Sequence, residues 1–246
     1  MTINFIAEIG SNWEGDIKIA KSHIKEAKKS GANFVKFQMW RAEDLYDSNH
    51  PEWETIKKSE VTKEIAEELK KYSDQIGIKW FCSVFNPDAV EFLEKLNVEY
   101  YKIASRTSTL KDKFSKETIE KVSKTKKMTF ISTGEGGDIK KISQSFVPEF
   151  LEFTYCISKY PTEEKEIDWN IIKNYNFFSD HTKGIVTPLV YAMLKVNNAD
   201  EDIFIEKHTK FENSKGPDST FAVTYEEVKQ LTDHIKRIEN MWDNKT

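Results

Sequence analysis

Two histidines, His181 and His208, each stand at the end of a short apolar run. Runs of this length with aromatic and β-branched residues are typical of buried strands. Neighbouring strands lie about 4.8 Å apart, and imidazole is a common ligand of divalent transition metals. The pair predicts a metal site with positions left open for water or substrate, as a Lewis acid that polarises a carbonyl requires. The alternative is that each histidine is simply hydrogen-bonded at a strand end.

Two lysines lie inside apolar runs, Lys36 in FVKFQ and Lys102 in YYKIAS. A buried ammonium group is costly unless it meets an anion. Two of them at one site favour a phosphate or carboxylate ligand, and Ser105, Ser132 and the turn at 133–134 would add hydroxyl and backbone donors. One alternative is that each lysine pairs with a local acidic residue. Another is a Schiff-base lysine, as in class I aldolases, which leaves the histidines without a role.

Two acidic residues are further candidates. Glu8 lies near the end of the first apolar run, and an inward carboxylate there would hold a substrate hydroxyl or accept a proton. It would equally form a buried ion pair with Lys36 on the neighbouring strand. Asp218 lies in a Gly-Pro-Asp segment ten residues after His208. It either binds sugar hydroxyls or caps a turn, where aspartate is favoured.

The elements that position these residues are eight short apolar runs that alternate with helical stretches. A parallel return needs a crossover, so this alternation implies parallel strands. Eight units predict an α/β fold, a (β/α)8 TIM barrel in one domain over residues 1–246, because the count favours closure over a doubly wound open sheet. The predicted strands are Phe5–Ile9, Phe34–Gln38, Lys79–Val84, Tyr100–Ala104, Met128–Thr133, Leu151–Cys156, Phe177–His181 and Ile203–His208.

Amphipathic or Lys/Glu-rich segments between these runs predict the helices. The main ones are Asp16–Ser30, Thr62–Ile76, Pro87–Leu96, Leu110–Lys124 and Thr224–Trp242, with short or weak helices in 136–145 and 167–175. An irregular stretch within 40–66 predicts a loop over the barrel mouth. Barrel active sites lie at the carboxyl ends of the strands, where polar residues such as Ser179, Asp180 and Lys207 gather.

Composition excludes several classes of function. The net charge is -4 and the chain has no basic tract, which argues against binding to nucleic acid or an anionic membrane. No apolar run approaches the roughly 20 residues of a membrane span, and the first residues lack the layout of a signal peptide. Cys82 and Cys156 lie in apolar runs and predict buried thiols of a cytoplasmic protein.

Taken together, these segments resemble the sialic acid synthase family, N-acetylneuraminate synthase-like enzymes that condense phosphoenolpyruvate with an amino sugar. The resemblance spans nearly the whole chain, and it is the order of the motifs on successive strands that makes it specific. The motifs are AEIGSN at 7–12, GANFVKFQ at 31–38, KIAS at 102–105, STG at 132–134, YPT at 160–162, SDHT at 179–182, EKH at 206–208 and GPD at 216–218.

The resemblance implies roles by position. His181 and His208 would hold a divalent metal, Mn²⁺ or Mg²⁺, and act in catalysis with Glu8. The residues implied to hold phosphoenolpyruvate are Lys36, Ser83, Lys102, Ser105, Ser132, Ser158 and Ser179. Those implied to face the sugar are Glu8, Gln38, Tyr160 and Asp218. The implied reaction joins phosphoenolpyruvate to N-acetylmannosamine or a related N-acetylated sugar, giving a nonulosonic acid and phosphate.

The chain also departs from the family pattern. Ser83 replaces the usual threonine, and Ser158 stands where some members have asparagine. Arg106 follows Ser105 in a region where the family usually has a small residue and often an acidic one that touches the sugar. Arg106 is therefore a further candidate sugar-binding residue, for an anionic or differently substituted acceptor.

The family's C-terminal antifreeze-like domain, which lends an arginine to the partner subunit, is not expected within residues 1–246. That arginine would come from a separate antifreeze-like protein, from Arg106, or not be supplied at all. The predicted partners are accordingly phosphoenolpyruvate, an amino sugar, a second copy of the chain and an antifreeze-like protein. Two alternatives stay open, namely a related synthase acting on another aldose, and a barrel subunit that is active only with such a partner.

Overall fold

Eight parallel strands form a closed barrel in the computed structural model, which describes residues 2–196 and 201–243. Each strand pairs with the next in chain order, and β1 pairs with β8 to close the barrel. This confirms the (β/α)8 prediction over an open sheet. The strands are β1 Ile3–Glu8, β2 Phe34–Met39, β3 Lys79–Val84, β4 Tyr100–Ile103, β5 Met128–Ser132, β6 Leu151–Tyr155, β7 Phe177–Asp180 and β8 Ile203–Lys210, with a short β9 Val223–Thr224 beside β8.

The helices follow the predicted segments closely where local signals are strong. Thr62 caps α4 through a side-chain hydrogen bond, and Gly77 ends it in the left-handed conformation. The segment predicted from Leu110 becomes helical only at Ser115, because Leu110 has a φ of 62° and cannot continue a right-handed helix. The helices are α1 Ile17–Lys29, α2 Ala42–Leu45, α3 Trp53–Lys58, α4 Lys63–Ile76, α5 Pro87–Lys95, α6 Ser105–Ser108, α7 Ser115–Lys124, α8 Ile139–Ser143, α9 Trp169–Ile172, α10 Val186–Lys195 and α11 Tyr225–Asp243.

The barrel interior is divided into an aromatic lower half and a polar upper half. An apolar cluster fills the lower half, formed by Ile6, Phe34, Phe81, Phe130 and Phe177. Side chains alternate along a strand, so the inward position two residues further on is the next layer up. In five strands that position holds Glu8, Lys36, Ser83, Ser132 and Ser179. The dry aromatic floor therefore carries a ring of polar groups at the carboxyl ends of the strands.

Asp180 and Lys207 do not belong to this ring. The prediction that grouped them with the active-site residues at the strand ends is wrong for these two side chains. They alternate with inward residues and lie on the outer face of the barrel, where both are buried. Nζ of Lys207 lies 2.7 Å from Oδ2 of Asp180 and donates a 2.6 Å hydrogen bond to the carbonyl of Thr182. This ion pair joins β7 to β8 behind the site. Among the described residues, no helix has the length and apolar character to cross a membrane.

Candidate active site

Glu206 is the centre of a charged network in the upper half of the barrel. Its Oε2 lies 3.5 Å from Nζ of Lys36 and 4.0 Å from Nζ of Lys102. Its Oε1 accepts a 2.8 Å hydrogen bond from Oγ of Ser179. The strand pattern by itself assigns no role to Glu206, although alternation from His208 places it on the inward face.

Glu8 pairs with the lysine of the neighbouring strand. Its Oε2 lies 2.7 Å from Nζ of Lys36, and its Oε1 accepts a 2.7 Å hydrogen bond from Nε2 of Gln38. The register places Glu8 opposite Lys36 on β2 and opposite His208 on β8. The buried ion pair considered for Glu8 is therefore present, and it keeps the carboxylate between the lysine strand and a histidine strand.

The charged groups of this network shift one another's pKa. Burial lowers the pKa of Lys102 to about 8. The charge of Glu206 acts to raise this pKa, and the charge of Lys36 lowers it further. Burial also acts to lower the pKa of Lys36, but Glu206 and Glu8 outweigh it and leave that pKa raised. Burial by itself would raise the pKa of Glu206, yet Lys102 and Lys36 hold it at about 2. The two buried lysines thus depend on the carboxylates of Glu8 and Glu206 to stabilise their charged form.

Hydroxyl groups and an aromatic ring complete the surroundings of the lysines. Lys36 donates a 2.9 Å hydrogen bond to Oγ of Ser83, and Lys102 donates a 3.1 Å hydrogen bond to Oγ1 of Thr154. Nζ of Lys102 also lies 4.3 Å from the centre of the Phe177 ring, a favourable cation–π distance. The floor therefore stabilises the ammonium group that carries the lowered pKa.

Three further serines lie at the ends of β4, β5 and β6. Oγ of Ser105 accepts a 2.7 Å hydrogen bond from the backbone N–H of Glu135, and Ser132 is buried at the end of β5. Among the described residues, Oγ of Ser158 is buried without a hydrogen-bond partner. A Cβ at Gly134 would lie 2.9 Å from that oxygen, so glycine permits the close approach of the two loops. A buried hydroxyl without a partner is a donor that a ligand would satisfy.

The two histidines stand side by side with ring centroids 6.0 Å apart. Nδ1 of His181 lies 2.7 Å from the carbonyl oxygen of Ile157, which only accepts, so this nitrogen carries the proton and Nε2 carries a lone pair. Ser179 lies 3.4 Å from Nε2 but gives its one proton to Glu206. Within the part of the chain described, Nδ1 of His208 is buried without a hydrogen-bond partner. Nε2 of His181 thus keeps a lone pair for a ligand, and Nδ1 of His208 is the other ring nitrogen left without a partner.

These rings suit a divalent metal ion. Burial, followed by the nearby His208, lowers the pKa of His181 to about 3, so its ring is neutral at pH 7, as a metal ligand must be. A backbone carbonyl that fixes the tautomer is a common outer partner of a ligating histidine. Within residues 2–196 and 201–243, no group of three or more His, Cys, Asp or Glu side chains is arranged to hold a metal. The site would rest on two imidazoles.

A cavity of about 400 Å³ opens at the barrel mouth, with His208 in its wall. It brings together the predicted sugar-facing residues Gln38, Arg106, Tyr160 and Asp218. Side chains of the segment after β2, including Tyr46, form another part of the wall, in keeping with the loop predicted over the mouth. The predicted sugar-facing residues therefore share one opening with His208 and with Ser105, one of the predicted anion-binding residues.

Tyr160 and Asp218 border the histidines on the open side. Tyr160 is 53% exposed, and the centre of its ring lies 4.3 Å from that of the His181 ring. Oδ2 of Asp218 accepts 2.8 Å hydrogen bonds from the backbone N–H and the hydroxyl of Ser11 and lies 3.7 Å from Nδ1 of His208. A Cβ on Gly10, which has a φ of 53°, would lie 2.3 Å from that oxygen, so glycine is required there. Asp218 therefore fastens the loop after β1 beside the histidine pair.

A family model described as the NeuB family matches residues 23–246. The chain belongs to the NeuB family. This confirms the resemblance to sialic acid synthases and the expectation of an N-acetylneuraminate synthase-like enzyme.

Relatives of this NeuB-family chain match it over almost its full length. An uncharacterized protein of Methanocaldococcus jannaschii is 36% identical over 96% of this chain and 71% of its own length. The human N-acetylneuraminate-9-phosphate synthase is 27% identical over 95% of this chain and 69% of its own length. The crystal structure of an N-acetylneuraminic acid synthetase from Leptospira borgpetersenii superposes with a TM-score of 0.88 at 26% identity, covering 100% of this chain and 87% of that one.

The lowered pKa of Lys102 predicts a pH limit for this NeuB-family protein. Above pH 8, the pKa value Lys102 has in the free protein, the ammonium group loses its proton and an anionic substrate loses a counter-charge. We expect kcat/KM for phosphoenolpyruvate to fall about tenfold per pH unit above that value. Steady-state phosphate release between pH 6.5 and 10 measures this. If kcat/KM stays level up to pH 9.5, where an unperturbed lysine is still charged, the lowered pKa of Lys102 does not limit the reaction.

Proposed function

We propose that this NeuB-family protein condenses phosphoenolpyruvate with N-acetylmannosamine or a related N-acetylated amino sugar, giving a nonulosonic acid and phosphate. One observation carries the proposal. Two buried lysines ringed by hydroxyl groups lie one layer below a pair of histidines, and His208 of that pair lines the cavity at the barrel mouth. An anion site beneath a candidate metal site is what a carbon–carbon condensation between an enol phosphate and an aldehyde requires.

Phosphoenolpyruvate would occupy the lower layer. Lys36 and Lys102 would meet its phosphate and carboxylate, exchanging part of their contact with Glu206 for the ligand. Serine hydroxyls from successive strands would add donors, and the hydroxyl of Ser158, which lacks a partner among the described residues, is the clearest of these. Charge-assisted hydrogen bonds of this kind are stronger than neutral ones and hold the ligand in a fixed orientation.

His181 and His208 would hold Mn²⁺ or Mg²⁺, and the lone pair on Nε2 of His181 and the unpartnered Nδ1 of His208 support that role. When bound, the metal supplies Lewis acidity toward the carbonyl oxygen of the open-chain sugar. Gln38, Tyr160, Asp218 and Arg106 line the cavity above and would orient that sugar. This arrangement would bring the aldehyde carbon over the methylene carbon of phosphoenolpyruvate.

In the proposed reaction, the methylene carbon of phosphoenolpyruvate forms a bond to the aldehyde carbon. The C=O π bond of the aldehyde breaks as this bond forms, and its oxygen becomes a hydroxyl by taking up one proton. Water adds to the resulting cation at the central carbon and loses one proton. The bond between that carbon and the phosphate oxygen then breaks, the remaining water-derived proton passes to phosphate, and a keto group is left. Glu8 is the proposed acceptor for the proton that the water loses, because its carboxylate lies between the phosphate-facing Lys36 and the strand of His208.

A sugar-panel assay tests the proposal. N-acetylated hexosamines and simple aldoses are incubated with phosphoenolpyruvate and manganese, with and without chelator, and released phosphate is measured. We expect release with an N-acetylated hexosamine and none after chelation. Release with an aldose alone would favour the related synthase, and no release with any sugar would contradict the reaction for the isolated chain. The antifreeze-like partner, the homodimer and the cytoplasmic location stay predictions from the sequence.

A further inference from the structure

The arginine at the outer end of the cavity is already paired. Nε and Nη2 of Arg106 each donate a 2.9 Å hydrogen bond to a different oxygen of Asp112, forming a two-pronged contact. Nη2 also lies 3.5 Å from the carbonyl oxygen of Leu45, and the guanidinium carbon lies 5.7 Å from the centre of the Tyr46 ring. Asp112, more than any other group, raises the pKa of Arg106. The guanidinium is thus held in place and compensated in charge.

The rest of the outer wall adds negative charge. Besides Arg106, the charged groups in the cavity lining are the carboxylates of Glu135 and Asp218. The lysines of the lower layer face Glu8 and Glu206. Among the described residues that line the cavity, no lysine or second arginine is present to face an anion at the outer end.

From this arrangement we infer that Arg106, fixed by Asp112, determines the acceptor class. It donates a hydrogen bond to an uncharged oxygen, an acyl carbonyl or a hydroxyl, and the outer site rejects an acceptor that carries phosphate. The inference rests on the proposed function for the identity of the sugar. It goes further because it chooses between a phosphorylated and an unphosphorylated acceptor sugar. The human relative is named for a phosphorylated product, and the Leptospira structure is named for an unphosphorylated one.

The physical basis is the balance of charge at the cavity wall. A sugar phosphate carries roughly two negative charges at neutral pH and needs an uncompensated, preferably two-pronged, cation. The fork of Arg106 is occupied by Asp112, and Glu135 and Asp218 would repel the phosphate. An arginine paired in this way still has a free donor, since the structure shows no hydrogen bond from Nη1 of Arg106 within the described residues.

Calorimetric titration of two probes tests the inference. N-acetylmannosamine and its 6-phosphate are titrated into the protein with manganese present and phosphoenolpyruvate omitted, so that no turnover occurs. We expect the wild-type protein to bind the neutral sugar at least about tenfold more tightly. Asp112→Asn leaves Arg106 uncompensated, and we expect it to strengthen binding of the 6-phosphate about tenfold, an effect that added salt removes. Arg106→Gln should weaken binding of the neutral sugar.

Asp88→Asn is the matched control, because Asp88 lies 3.2 Å from Arg41 outside this cavity and the substitution changes the charge equally. It should leave the ratio of the two affinities unchanged. Preference of the wild-type protein for the 6-phosphate, no shift in Asp112→Asn, or failure of both sugars to bind would each overturn the inference. The expected preference without any phosphate release in the synthase assay would contradict the proposed function and leave this inference standing.

Discussion

Glu206→Gln is expected to destabilise the free protein and to make its stability depend more strongly on phosphoenolpyruvate. Oε2 of Glu206 lies within 4.0 Å of both Lys36 and Lys102, so the substitution leaves two buried ammonium groups with the single carboxylate of Glu8. Removing one partner of a buried charge network costs about 3 kcal/mol or more. The anionic ligand replaces the missing charge, so it should bind the variant more tightly and raise its melting temperature by a larger increment than in the wild type.

Thermal unfolding with and without phosphoenolpyruvate measures this effect. Asp180→Asn is the matched control, because Asp180 is equally buried and also pairs with a lysine, Lys207, but on the outer face of the barrel. We expect this control to lose stability while its increment with phosphoenolpyruvate stays that of the wild type. If phosphoenolpyruvate raises the melting temperature of Glu206→Gln by no more than it raises that of the wild type, Glu206 does not compete with an anion for the two lysines.

His208→Ala is expected to abolish turnover and metal binding while sparing phosphoenolpyruvate binding. In the described part of the chain, two imidazoles are the nitrogen donors at the mouth, and no larger group of His, Cys, Asp or Glu is arranged around a metal. Loss of a residue that only hydrogen-bonds to a metal-ligating side chain already lowers metal affinity or activity about 10–100-fold. Loss of a metal-ligating side chain itself should therefore reduce phosphate release by more than about 100-fold. Lys36 and Lys102 lie below and keep their contacts with Glu206.

Manganese binding by electron paramagnetic resonance, phosphate release and the thermal increment with phosphoenolpyruvate are measured on the same samples. His234→Ala, at an exposed position of α11, is the control for removal of a histidine. It should match the wild type in all three measurements. Wild-type manganese affinity in His208→Ala would refute the histidine site, and loss of the thermal increment would indicate a folding defect instead of a missing ligand.

Local patterns in the chain predicted the scaffold well. Short apolar runs with β-branched or aromatic residues placed all eight barrel strands to within a few residues, because these features are encoded within each strand. The helix predicted over Thr62–Ile76 agrees with α4 for the same local reason. The count of strands then predicted closure, which the pairing of β1 with β8 confirms.

Pairing between charged groups was not predictable in the same way. Glu206 gains its importance from two lysines on other strands, and their distances depend on barrel closure and stagger. The contact between Arg106 and Asp112 depends on the loop after β4, where the positive φ of Leu110 delays the helix. Neither distance is encoded in the residues next to each group.

The amino-acid sequence by itself determined the barrel, the ends of its strands and the gathering of Lys36, Lys102, His181 and His208 at its mouth. It could do so because each apolar run is read within its own segment, and parallel strands place their carboxyl ends at the same side of the barrel. The tertiary structure alone decided which charges meet. It placed Lys207 behind the barrel with Asp180, set Glu206 between the lysines and paired Arg106 with Asp112. Those outcomes depend on distances across the closed barrel and its loops, which no single segment specifies.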